Sequence, residues 1–288
     1  MQQTFVFQKP DMDTVFSAWI LGFHKSSDSL VVMTPEIKQQ MLENPNIYCI
    51  ECGGSGRIER KNFDHHNSGK RLSCACMQAY RWKNISDPWI HRMVEYVQFI
   101  DGDTKRSIGV NKSHAKDIFL SGIYSGMRIV FNHNLTEQFL NGIEIFHRAF
   151  QLRLDPWKHA PNLPEWSEFK IAKRKQLNRV NEYIKEINFY KTGTGKKIGY
   201  LFAPIPGIHA LLRQTGCMIS IAAGLACTDN RRYTTISSDC IKVSELLPDL
   251  LYQENGWGGP SHGRIIASPK SGTRLTQYEL VEMVRSAF

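Results

Sequence analysis

The 288-residue chain has no long apolar run: its longest stretches without a charged residue, 198–212 and 214–228, are broken by glycine or proline. Both fall short of the ~20 residues a membrane-spanning helix needs, so no span is expected. The opening MQQTFVFQKPDMD reaches two aspartates before any apolar stretch develops. It does not fit a secretory leader, and a cytoplasmic location is expected. Acidic residues are in deficit, 27 against 36 lysines and arginines, for a formal charge of +9, and that excess points to polyanionic partners. Internal repeats and low-complexity tracts are absent too. With 42% hydrophobic and 22% charged residues, the composition is that of a folded globular protein and excludes disorder, collagen-like and disulfide-miniprotein readings. The seven cysteines are an odd number, with Cys49, Cys52, Cys74 and Cys76 bunched together. They fit reduced thiols or a metal site better than a disulfide framework.

What is present reads as strands alternating with helices. TFVFQ at 4–8, SLVVM at 29–33 and NIYCI at 46–50 are β-prone, while 14–23 and 35–42 follow as helices. That alternation predicts an α/β fold with an N-terminal doubly wound parallel sheet. In such a sheet, polar residues just beyond strand C-termini line the ligand crevice. Asp11 and Asp13 follow the first strand, Glu51 follows the third, and Asp64 comes after a glycine-rich turn. Residues 88–150 read as mostly helical. Three prolines and two tryptophans at 155–166 read as a linker or boundary. An amphipathic basic helix is predicted over 168–188, with Leu177, Val180, Ile184 and Ile187 on one stripe and the KRK at 173–175 opposite. Between 153 and 197, eleven lysines and arginines face five acids, so the excess charge concentrates there. A smaller C-terminal α/β domain follows, with strands at 197–203, 218–223 and 264–267 and helices at 208–214 and 276–288. The expected domains are 1–152, a basic linker and helix at 153–195, and 196–288.

FVFQKPDMDTVFSA at 5–18 places two carboxylates two residues apart between a strand and a helix. Then IECGGSGRIERKNFDHHN at 50–67 combines Glu51, a glycine turn and Asp64-His65-His66, and FIDGDTK adds Asp101 and Asp103. Oxygen ligands with one or two imidazoles suit manganese, magnesium or iron. Two cations about 3.5–4 Å apart can clamp phosphoryl oxygens and acidify a bridging water.

PDMD at 10–13, FDHHN at 63–67 and GWGGPSHGRIIASP at 256–269, taken together and in order, resemble the DHH phosphoesterase superfamily. That superfamily includes RecJ-type nucleases, nanoRNA and cyclic-dinucleotide phosphodiesterases, exopolyphosphatases and family II inorganic pyrophosphatases. The resemblance implies a DHH-type metal-binding domain and a DHH-associated second domain that closes over it, with the active site in the interdomain cleft. It implies that Asp11 holds one metal and Asp13 the other, that Glu51 bridges them, and that His65 ligates the second metal with Asp101 or Asp103. His66 would face the substrate phosphate, and Asp64 would orient a histidine; these two are the implied catalytic pair. Gly258, Gly259, His262 and Arg264 would hold the substrate anion. The implied cofactor is manganese, with magnesium as the alternative. The implied partner is a phosphate-containing small molecule or a short nucleic acid, and the implied activity is hydrolysis of a phosphodiester or phosphoanhydride.

Two positions depart from that pattern. The histidine expected four residues before the first aspartate is Phe7, and the bridging aspartate is Glu51. Three alternatives stay open: one metal in place of two, a substitute ligand such as His24, or a catalytically silent nucleotide- or nucleic-acid-binding relative. A further rival is structural zinc. Cys49-x-x-Cys52 followed by GGSG matches a zinc-ribbon pattern that Cys74-x-Cys76 would complete, although the second pair has one intervening residue and Cys49 falls inside an apolar run.

Overall fold

Four short runs rich in β-branched and aromatic residues build the first sheet: β1 (Thr4–Phe7), β2 (Ser29–Val32), β3 (Ile47–Ile50) and β4 (Asn62–Phe63), with α1 (Met12–Leu21) and α2 (Lys38–Glu43) in the connections. The computed structural model describes residues 2–33, 38–66, 72–101, 118–203, 205, 207–228, 231–259 and 263–288. All four strands run parallel in the order β2-β1-β3-β4, as the alternation of strand and helix predicts. Side chains alternate faces along a strand. Phe5 and Phe7 of β1 therefore enter an aromatic core with Phe16, Phe63, Phe139 and Phe146, while Val6 packs with Leu42, Cys49 and Cys52 on the other side.

Four helices complete the helical stretch: α3 (Ala75–Lys83), α4 (Pro88–Asp101), α5 (Leu120–Val130) and α6 (Leu135–Gln151). Next comes α7 (Ser167–Glu182). A β-carbon on Gly126 of α5 would lie 2.0 Å from the Phe169 carbonyl oxygen of α7, so only glycine allows these two backbones to approach so closely. The chain divides into two compact units, Met1–Arg174 and Lys175–Phe288, with the division inside α7.

The second unit holds β5 (Asn188–Lys191), β6 (Lys197–Phe202), α8 (Ile208–Gln214), β7 (Ile219–Thr228), β8 (Arg231–Ser237), α9 (Leu247–Gln253), β9 (Ile265–Ala267) and α10 (Gln277–Ala287). Its sheet is mixed, in the order β5-β6-β7-β8-β9, with only β6 and β7 parallel. One face buries Ile198, Ile221, Ile236, Trp257 and Leu280, and the other packs Leu201 and Ala222 against Leu211 and Leu212 of α8. A capping box of Thr276 and Glu279 opens α10.

The predicted basic helix ends early. After Glu182 the chain tightens into a 3-10 turn over Tyr183–Glu186. At 3.0 residues per turn this takes Ile184 off the apolar stripe; Ile184 is 45% exposed while Val180 and Ile187 are buried. Asn188, read as the last residue of that helix, instead opens β5, which pairs antiparallel with β6.

Candidate metal centre

The chain order of the first sheet reverses between β1 and β3, and the crevice beyond their C-terminal ends is where an open parallel sheet binds ligands. The loop after β1 is fixed from both sides. Asp11 is the N-cap of α1, its Oδ1 accepting the Thr14 amide at 3.0 Å. The Tyr124 hydroxyl from α5 is shared between the Pro10 and Asp11 carbonyls at 3.0 and 2.9 Å. Two residues on, Asp13 lies almost wholly buried in the first turn of α1, and its oxygens accept the Ala75 and Cys76 amides of α3 at 2.7 and 2.8 Å. A helix N-terminus favours an anion, so the two α3 amides favour the charged form of Asp13 while it joins α1 to α3. Burial nevertheless pushes its carboxyl above the usual value, against the pull of the Cys76 thiol and amide.

Glu51 follows β3 directly, in the left-handed region at φ 49°, which costs a non-glycine residue of order 1 kcal/mol. It is 6% exposed. Its Oε2 accepts the Thr14 hydroxyl at 3.0 Å, while its Oε1 has no hydrogen-bond partner. Burial first, then the charges of Asp13, Asp11 and Asp101, drive its carboxyl well above the ordinary range.

After β4 comes Asp64. Its Oδ2 accepts the Gly54 amide at 2.7 Å and its Oδ1 the His66 amide at 2.8 Å, so it ties the turn after Glu51 to the histidine pair. The His65 Nδ1 lies 3.3 Å from Glu51 Oε1 and 3.9 Å from Asp13 Oδ2, and its Nε2 lies 3.5 Å from Asp101 Oδ2. The His66 Nε2 also reaches 3.3 Å from Glu51 Oε1, on a ring that remains half-exposed. Burial and the neighbouring His66 hold His65 below the usual histidine value, which keeps its imidazole neutral and able to ligate.

One donor atom each from Asp13, Glu51, His65 and Asp101 lies within 4.8 Å of the others. Ligands of an octahedral ion at ~2.1 Å stand about 3 to 4.2 Å apart, so the set needs only a small contraction to hold one. The local chemistry fits a dication. Glu51 Oε1 and His65 Nδ1 are both buried without a hydrogen-bond partner and face each other, and three carboxylates surround one neutral ring. Asp11 joins no such group among the described residues. Asp103 and His262 lie outside the described residues.

Of the proposed anion loop, Gly258 has an open α-carbon, whereas a β-carbon on Gly259 would lie 2.2 Å from the Ile265 carbonyl of β9, so packing alone requires glycine there. The Arg264 carbonyl accepts the Ser238 amide at 2.9 Å.

The four thiols do not converge among the described residues. Cys49 and Cys52 belong to the apolar cluster of Val6 and Leu42, while Cys74 and Cys76, 3.5 Å apart, adjoin Asp13 at the start of α3. Sequence reasoning missed Thr14 and Tyr124, whose contacts span 37 and 113 residues and leave no local signal.

No family model and no curated protein matches the chain. Solved structures do match its fold. A pGpG-specific phosphodiesterase, PggH, from Vibrio cholerae has a TM-score of 0.61 over 98% of this chain and 97% of its own, at 16% identity. The DHH domain of a member of a ribosomal-protein family has a TM-score of 0.51 over 99% of this chain and 86% of its own, at 10% identity. The chain has the fold of DHH-superfamily proteins. Both sheets, the parallel four-stranded and the mixed five-stranded, belong to that two-domain fold.

Proposed function

We propose that the chain is a metal-dependent phosphoesterase acting on a nucleotide-like or short oligonucleotide substrate, breaking a phosphodiester or phosphoanhydride by hydrolysis. The observation that carries this reading is the convergence of Asp13, Glu51, His65 and Asp101 at the sheet crevice with two buried, unpartnered donor atoms. Manganese or magnesium held by these four would polarise a phosphoryl oxygen and lower the pKa of water. His66, half-exposed beside Glu51, holds a phosphate oxygen or gives a proton to the leaving oxygen. Asp64 fixes that ring in place through the His66 amide. In the second unit, Gly258, His262 and Arg264 are the residues proposed to bind an anion. Similarity to PggH makes a linear dinucleotide such as pGpG the first substrate to try.

A second reading, a silent nucleotide- or nucleic-acid-binding protein, is favoured by Phe7 and Glu51, where the DHH pattern has other residues. Purified protein incubated with manganese or magnesium and pGpG, short RNA, cyclic dinucleotides or polyphosphate separates the two. The expected result is metal-dependent cleavage that Asp101→Asn and His65→Ala abolish. Tight binding with no turnover under either metal selects the silent protein.

A further inference from the structure

The N-terminal end of α3 gives two amides to Asp13, while its last turn, Arg81-Trp82-Lys83, is exposed. Trp82 is 40% exposed and is the only exposed Trp, Tyr or Phe of the first unit among the described residues. Its indole stands nearly perpendicular to Tyr48 and Phe63, with ring centroids 6.1 and 5.8 Å away. Both of those rings are buried, so the indole is held in place while part of it meets solvent. Cations surround it. Lys61 Nζ lies 4.6 Å from the Tyr48 centroid and Lys83 Nζ 5.5 Å from the Trp82 centroid. Neither lysine meets a carboxylate among the described residues, nor does Arg81, which donates to Ser73 Oγ at 3.5 Å. Just before Lys61, Arg57 and Arg60 share the single carboxylate of Glu43. These five cations outnumber the acids interleaved with them, Glu43, Glu59 and the Asp28 beside Tyr48. A helix C-terminus favours Arg81 and Lys83, yet an exposed indole between them does nothing for the helix.

Resting on the oligonucleotide partner proposed above but not on its hydrolysis, we infer that this face of the first unit binds single-stranded nucleic acid, with one base stacked on Trp82 and the flanking phosphates held by Lys61, Arg81 and Lys83. Every base has a π-face, and an aromatic ring inside a cationic rim binds a strand without regard to its sequence. An anionic membrane offers the same charge, but a membrane-binding face carries several apolar side chains on one surface; here a single indole is ringed by charge. Trp82 lies roughly 10 Å along the axis of α3 from Ala75, whose amide holds Asp13. The surface therefore stands apart from the metal group and needs no ion to work.

The test is fluorescence anisotropy of a labelled oligoribonucleotide of about ten residues, titrated with the full chain in the presence of a chelator so that binding is read without cleavage. Trp82→Ala should weaken binding about tenfold and leave the slope of log affinity against log salt unchanged. Trp82→Phe, which keeps a ring against Tyr48 and Phe63, should bind within about threefold of wild type. Lys61→Gln/Lys83→Gln should lower the salt slope by about 1.4. A tryptophan that served only the fold would not divide the two readouts in this way, and the lysine pair decides the matter even where Trp82→Ala does not fold. Wild-type affinity in Trp82→Ala, or an unchanged slope in the lysine pair, overturns the inference. So does binding to phosphatidylserine vesicles with none to the strand, which would make the face a membrane surface. The outcomes also separate this inference from the proposed activity. A strand bound through Trp82 and left uncut when manganese is added upholds the inference and ends the phosphoesterase reading. Cleavage of pGpG by a protein whose strand affinity ignores Trp82 does the reverse.

Discussion

Burial raises the carboxyls of both Asp13 and Glu51, but their hydrogen bonding sets them apart. Asp13 accepts two amides at the start of α3. Asp13→Asn keeps one acceptor but turns an NH2 toward the other amide, so it should destabilise metal-free protein by about 2 kcal/mol. Glu51 is held in a left-handed conformation, buried and surrounded by Asp13, Asp11 and Asp101. Because its carboxyl titrates above the unfolded value, the folded state keeps a proton that the unfolded chain gives up as pH rises past ~4.5. Stability of the metal-free protein therefore falls with rising pH over that interval. Glu51→Gln removes this penalty and should stabilise metal-free protein by about 1 kcal/mol at pH 7 while flattening the pH profile. Urea unfolding of both variants without metal checks the pair. A destabilised Glu51→Gln would mean that the carboxylate serves the fold and not a ligand.

At the scale of elements, regular local patterns were legible and pairings made at a distance were not. The aromatic and β-branched runs at 4–7, 29–32 and 47–50 announce their strands, and the acids that follow them announce the crevice. β8 escapes notice because RRYTTIS begins with two arginines; its strand identity comes from pairing with β7 on one side and β9 on the other. Of the metal group, Asp13, Glu51 and His65 can be read from motifs, and Asp101 only as one of two candidates with Asp103. Thr14, which orients Glu51, cannot, since nothing in the sequence tells a helix threonine facing a strand end from one facing solvent. α8 offers an element-scale prediction. His209 bridges it to the second sheet, with Nδ1 2.7 Å from Ser220 Oγ and Nε2 2.7 Å from Thr235 Oγ1. Burial, with Arg213 adding to it, lowers its pKa to about 4. Below pH ~6.5 the unfolded chain takes a proton that the folded one refuses, so stability is lost as pH falls toward 4. Between pH 7 and 4.5 the wild type should lose about 2 kcal/mol more than His209→Gln, read by urea unfolding at both pH values. Equal losses would mean that this histidine is charged in the folded state.

Over the whole molecule, the +9 charge is partly committed to the fold. Lys170 is buried with its ammonium on Ala160 O, Pro161 O and Asn162 Oδ1, Lys173 donates to Ser125, and Arg153 Nη1 donates to both carboxylate oxygens of Asp87. Lys175 and Arg179 of α7 are exposed and available to a polyanion. If they contact a bound oligonucleotide, each should contribute about 0.7 to the slope of log affinity against log salt on a single strand. Three phosphate contacts in all would weaken binding roughly twentyfold between 50 and 200 mM salt. Fluorescence anisotropy with a labelled oligoribonucleotide measures that slope. The double variant Lys175→Gln/Arg179→Gln should reduce it by about 1.4. An unchanged slope would show that Lys175 and Arg179 of α7 do not carry the strand.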